Sequence, residues 1–182
     1  IGVMPVYAVQ PVQETNVAVE QSQDSVEEKA AAYFANFPED KHVVSAADFL
    51  KMVENKENIC VLDIRSAEDY AAGHIQGAIN VTYGVDIAEA LDKIPDDVEV
   101  LVYCYSGQTA SQTVALLNLA GKNAYNVSGG FTGISKEEAA EKLTVKETAS
   151  FGEKTYSVDA QIKEAIQEYY EVAAENGKFK LS

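Results

Sequence analysis

The chain has 182 residues, 47% of them hydrophobic, which suffices for one domain with extensions and a sizeable core. No apolar run approaches a membrane span. Its 29 acidic residues outweigh 14 basic ones, and the resulting net charge of −15 argues against nucleic acid or an anionic membrane surface as partner, because both are held by basic patches.

Residues 1–24 read as a flexible, acidic N-terminal segment. The sequence opens on Ile1 instead of a methionine. Val6-Tyr7-Ala8 carries the small-residue spacing of a signal-peptidase site, and residues 1–6 read as the tail of its apolar region. Export to the periplasm, cell surface or medium is one expectation. An ordinary N-terminus on a cytoplasmic protein is the other. Ser25-x-x-Glu28 has the form of a capping box and opens an N-terminal helix in residues 25–41, with Val26, Ala30, Tyr33, Phe34 and Phe37 on one face.

From residue 42 the apolar pattern alternates between the two periods. It predicts a strand over 42–44, a helix over 45–54 and a strand over 59–64. A short helix, a strand over 78–81 and a helix over 86–91 follow. The series ends with a strand over 98–103, a helix over 107–120 and a strand over 124–127. Capping boxes at Ser45, Ser66 and Ser135 mark further helix starts. Such alternation with short loops implies an α/β domain over 42–145: a parallel five-stranded sheet with helices on both faces and its site at the carboxyl ends of the strands. A C-terminal extension over 146–182 contains a helix from 157 to 176, stopped by Gly177. Its stripe of Val158, Ile162, Ala165, Ile166, Tyr169 and Ala173 must be buried. The domain, the N-terminal helix or a second copy, forming a homodimer, could cover it.

Cys104 closes the strand 98–103 and opens the helix 107–120. There backbone N–H groups converge and the helix dipole is positive, so a thiolate or an anion attached to it is stabilised. Tyr105, Ser106, Gly107, Gln108 and Thr109 form the following loop. Ser106, Gly107, Gln108 and Thr109 are small or polar, which suits an anion cradle better than a core, and Gly107 lets the loop curl into an amide nest. This is the placement of a nucleophilic cysteine. Cys60, between Ile59 and Val61, reads as core. If neighbouring strands end level, it lies about 10 Å back along its strand at ~3.3 Å per residue. A disulfide needs Cα atoms within about 7 Å, so the two cysteines are expected to stay free. Two scattered histidines and these cysteines have no metal-ligand spacing, and no metal site is expected.

Two blocks together resemble the rhodanese family, the sulfurtransferases that carry sulfur as a cysteine persulfide. The first holds Asp63 and Arg65, Asp69-Tyr70, Gly73-His74-Ile75, Gly77-Ala78 and Asn80. The second holds the loop 104–109 and the pair Gly129-Gly130 after Val127. Family order and spacing run over about residues 42–134. The resemblance implies that Cys104 takes sulfur from a small donor such as thiosulfate and passes it to a thiol or cyanide, with residues 105–109 binding the substrate and no cofactor. It implies that Asp63 and Arg65 brace the wall of the site as supporting residues, and that His74 is structural, tying the turn that follows it. His42 reads as a surface residue. The chain departs from the family after Gly130, where it has no tryptophan and continues Phe131-Thr132-Gly133. Two alternatives remain. Cell-cycle phosphatases share the fold, as would an arsenate reductase reading, but phosphoryl transfer calls for a Cys-x5-Arg loop. Here four residues separate Cys104 from Thr109, which fills the arginine's place. A non-catalytic binding module is the other, although such modules commonly lack the cysteine.

Overall fold

The structure, a computed structural model, describes residues 20–175. The export reading and the helix stop at Gly177 rest on residues outside that range. Five parallel strands form the central sheet: β1 (Val43–Val44), β2 (Ile59–Asp63), β4 (Ile79–Asn80), β5 (Glu99–Tyr103) and β6 (Asn123–Val127), in the order β1-β6-β5-β2-β4. The predicted α/β sheet is therefore present, with each strand within one or two residues of its expected bounds.

Alternation along the strands divides the core in two. Cys60, Leu62, Ile64, Val100, Val102 and Cys104 face α4 (Val85–Ala90), α5 (Gln108–Leu119) and α8 (Ala160–Glu175), packing with Ile87, Leu91, Val114, Leu117, Ile162, Ile166 and Tyr170. Val61, Leu101, Tyr103 and Val127 face α2 (Ala46–Glu54), α3 (Ala67–Ala72) and α6 (Gly130–Ile134), packing with Phe49, Leu50, Tyr70 and Ile134. Pairing in register sets Cys60 opposite Val100 and Asp63 opposite Tyr103, so Cys60 lies well below Cys104. Both thiols are free, as the spacing required.

Two of the four capping boxes close. Ser45 and Ser66 each accept the amide three residues on, from Asp48 at 3.0 Å and Asp69 at 3.1 Å. The other two serines do not start a helix. The first helix, α1 (Glu20–Ala35), is already helical at Glu20, which leaves Ser25 inside it. Ser135 ends α6, and its hydroxyl donates back to Phe131 O at 2.7 Å. A serine one turn before an acid fits a cap but also a helix interior or exit, and the surrounding fold chooses.

Three other expectations change. On α1, Val26 packs on the core, but Phe34 is 68% exposed and the predicted apolar face is only partly covered. His42 is no free surface residue: Tyr33, Phe37 and Tyr125 surround its ring at 5.5–5.9 Å. Helix α8 starts at Ala160, where Asp159 Oδ1 accepts the amides of Gln161 and Ile162. Its buried stripe is Ile162, Ile166, Tyr170 and Ala173, with Tyr170 in place of Tyr169. That stripe lies in the core with α4 and α5, so it is not free to serve as a homodimer face. A two-stranded antiparallel ladder, β3 (His74–Ile75) with β7 (Thr144–Val145), follows from no local pattern, and neither does the short helix α7 (Ala140–Leu143). Among the described residues no helix is long and apolar enough to cross a membrane.

Candidate active site

Strand β5 delivers Cys104 to the carboxyl edge of the sheet, where it is 2% exposed. The chain then turns through Gly107, at φ +94°, into α5. At that angle a side chain would be strained, and the turn brings the Gly107 amide back to donate to Cys104 Sγ at 3.1 Å. Ser111 Oγ donates to Gly107 O at 2.9 Å, and Asn126 Nδ2 of β6 donates to Ser111 Oγ at 2.7 Å, which fixes the turn from below.

The loop is shaped from a second direction by α6. Its first amides donate to loop carbonyls, Phe131 N to Cys104 O at 2.7 Å and Thr132 N to Tyr105 O at 3.0 Å. The described peptides are all trans. A trans peptide points its N–H opposite to its C=O, so holding these two carbonyls aims the Tyr105 and Ser106 amides away from α6. Neither amide donates to an acceptor among the described residues. The approach is possible only because Gly130, at φ +55°, has no side chain: a Cβ there would lie 2.6 Å from Cys104 O and 2.7 Å from Ser106 N.

The remaining predicted binding residues divide. Ser106 and Gln108 are exposed at the mouth, and Thr109 is half-buried. The Tyr105 side chain turns aside. Its hydroxyl donates to Asp69 Oδ2 at 2.5 Å and accepts from the Ser66 amide at 3.3 Å, tying the loop to the start of α3. The Tyr105 hydroxyl, with Ser66, holds the Asp69 carboxyl below the usual carboxylate range.

Asp63 and Arg65 pair closely but on the other side of the sheet. Arg65 Nε donates to Asp63 Oδ1 at 3.0 Å, and Nη2 donates to Oδ2 at 2.6 Å and to Gly73 O at 2.8 Å. The guanidinium lies 3.7 Å from the Phe131 ring centroid. Because Phe131 also donates to Cys104 O, the pair reaches the loop through α6 and not by touching the thiol. Asn80 Nδ2 bonds the carbonyls of Asp63 and Arg65 at 2.8 and 3.0 Å. His74 is fully buried, with ring nitrogens 2.8 Å from Tyr70 O and 2.9 Å from Glu147 O, and it stacks on Tyr70. It ties the preceding helix to the C-terminal extension.

Sequence reasoning missed Tyr83. It packs in the same cluster as Cys104, its ring stands edge-on to Tyr170 with centroids 5.5 Å apart, and its hydroxyl donates to Gln112. No local signal marks it, since its partners come from α5 and α8. Cys60 makes the contrast with Cys104: burial pushes its thiol up to about 12, and it has no helix terminus beside it.

Comparison with known proteins follows the same geometry. The chain is 38% identical over 77 residues to thiosulfate sulfurtransferase GlpE of Pseudomonas fluorescens, covering 42% of this chain and 70% of that protein. It is 30% identical over 129 residues to a tRNA uridine(34) hydroxylase of Buchnera aphidicola, covering 68% of this chain but only 40% of that protein. In fold it is similar to an uncharacterized protein from Saccharomyces cerevisiae solved at atomic resolution. That match has a TM-score of 0.50 at 22% identity and covers 54% of this chain and 94% of the other. The family model for the rhodanese-like domain matches residues 45–137, just over half of the sequence and the whole of the cysteine site, and the chain belongs to that family.

Proposed function

We propose that this protein is a sulfurtransferase that carries sulfane sulfur as a persulfide on Cys104. The observation that carries the reading is the Gly107 amide on Cys104 Sγ, inside a loop whose carbonyls α6 turns away. The Cys104 thiolate attacks the outer sulfur of a donor such as thiosulfate. The donor's S–S bond breaks, sulfite leaves with the electron pair, and a Cys104–S–S⁻ persulfide remains. The loop amides offset the charge that develops on the transferred sulfur. A thiol or cyanide then attacks the outer sulfur and restores the thiolate. No step calls on a metal or cofactor.

Similarity to a thiosulfate sulfurtransferase supports this reading. The phosphatase alternative lacks its loop arginine: neither Thr109 nor Ala110 is basic, and Arg65 is held by Asp63. Likeness to a tRNA-modifying enzyme does not extend to tRNA binding, which a net charge of −15 disfavours.

Intact mass after incubation with a sulfane donor tests the proposal. One added sulfur is expected on the native chain and on Cys60→Ser, and none on Cys104→Ser. Equal loss in both variants, or steady aryl-phosphate hydrolysis abolished by Cys104→Ala, would overturn it.

A further inference from the structure

The charge around Cys104 bears on which sulfur donor the site can hold. A dianion at a cysteine loop is held by amides, by a cation, or by both. Amides are present, but no loop side chain from Tyr105 to Thr109 is charged. Arg65, just past the end of β2, is 4% exposed. Asp63 neutralises it through bonds to Nε and Nη2, Gly73 O takes a further Nη2 bond, and Phe131 covers its face. Its charge is therefore offset by Asp63, and its Nε and Nη2 donors are already committed.

The loop instead carries an anion on its flank. Asp69, bonded to the Tyr105 hydroxyl, stays ionised because that bond and Ser66 hold its carboxyl low. Inside, the neighbour of Cys104 is the phenol of Tyr83. Burial first, then the charges of Tyr170, Tyr169 and Cys104, raise that phenol, so it remains neutral at physiological pH. The whole chain adds a field of −15.

We infer that the donor taken by this site is an organic persulfide whose carrier bears no net negative charge, in preference to thiosulfate. The inference rests on the persulfide reading above and narrows it. In the step, Cys104 thiolate attacks the outer sulfur of R–S–S⁻. The carrier's S–S bond breaks and R–S⁻ leaves with the electron pair. The Cys104–S–S⁻ bond formed replaces the bond lost, with no net oxidation. The leaving thiolate carries one negative charge where sulfite would carry two.

Cysteine persulfide and thiosulfate are the probes, and the full-length chain is followed by quenched-flow intact mass for one-sulfur loading of Cys104. Native protein should load faster from cysteine persulfide. Its thiosulfate rate should rise steeply with salt between about 0.01 and 1 M as the repulsive field is screened, and the persulfide rate should rise less. Ser106→Arg, at an exposed position, should raise the ratio of thiosulfate to persulfide loading roughly tenfold, the worth of one charge-assisted hydrogen bond. Tyr105 is the wrong site for that substitution, since Asp69 would capture the arginine. A thiosulfate rate that falls with salt, or that exceeds the persulfide rate, overturns the inference whether or not the variant folds. Sulfur loading from neither donor, or equal loading of Cys104→Ser, overturns the sulfurtransferase reading beneath it and this inference with it.

Discussion

Gly130→Ala should separate loop geometry from overall stability. The alanine Cβ would meet Cys104 O at 2.6 Å, Ser106 N at 2.7 Å and the Tyr105 carbonyl carbon at 2.7 Å, all of them backbone atoms that no rotamer change can move aside. Non-bonded heavy atoms pack comfortably at about 3.5 Å, so α6 and the cysteine loop must part by close to 0.9 Å. The left-handed backbone at φ +55° adds about 1–2 kcal/mol of strain for a residue with a Cβ. A shift near 1 Å in a reacting group lowers rate by about 10². The expected result is a protein that still folds, destabilised by about that strain, with sulfur loading of Cys104 slowed roughly 100-fold. Gly129→Ala is the control. It has a similar strain at φ +76°, but its Cβ meets Gly133 Cα at 3.1 Å and not the cysteine loop, so it should lose stability with far less activity. Urea unfolding and quenched-flow mass spectrometry read the two quantities. Native loading rates in a folded Gly130→Ala, or equal slowing in both variants, would refute the argument that α6 shapes the loop.

Three other outcomes follow from the same contacts. Arg65→Ala should lower stability by about 3–5 kcal/mol in urea unfolding, because Asp63 is left buried without its cation; a loss under 1 kcal/mol would mean the carboxylate finds another partner. Iodoacetamide on the native chain at pH 8 should label Cys104 and spare Cys60. With its thiol pushed up to about 12, Cys60 is ionised in only about one molecule in ten thousand at that pH, and its labelling should climb as pH rises towards that value. Tyr170→Ala should cost about 3–5 kcal/mol by emptying the pocket between α8, Tyr83 and α5. Tyr170→Phe, which keeps the ring and loses the 3.3 Å hydroxyl contact to Thr113, should cost about 0.5–1.5 kcal/mol. Similar losses in the two variants would show that the hydroxyl and not the ring anchors α8.

Much of this protein was legible from order along the chain. The apolar runs at residues 59–64 and 98–103 and the caps at Ser45 and Ser66 are local, so they were enough to place strands, helix starts and a parallel sheet. Cys104 at the end of one strand and the start of a helix marked the candidate site for the same reason, since a helix terminus is a property of neighbouring residues. The failures had the same physical origin. A box at Ser25 or Ser135 satisfies the local rule, yet Ser25 lies inside a helix and Ser135 ends one. Only the tertiary structure decided that β6 lies between β1 and β5, which sets Asn126 beneath Gly107. It likewise decided that α6 turns its first amides onto Cys104 and Tyr105, that Asp63 keeps Arg65 from the thiol, and that Tyr170 rather than Tyr169 enters the core beside Tyr83. Each of these is a contact between segments far apart in sequence, settled by burial and hydrogen bonding summed over the whole fold and written in no single stretch of it.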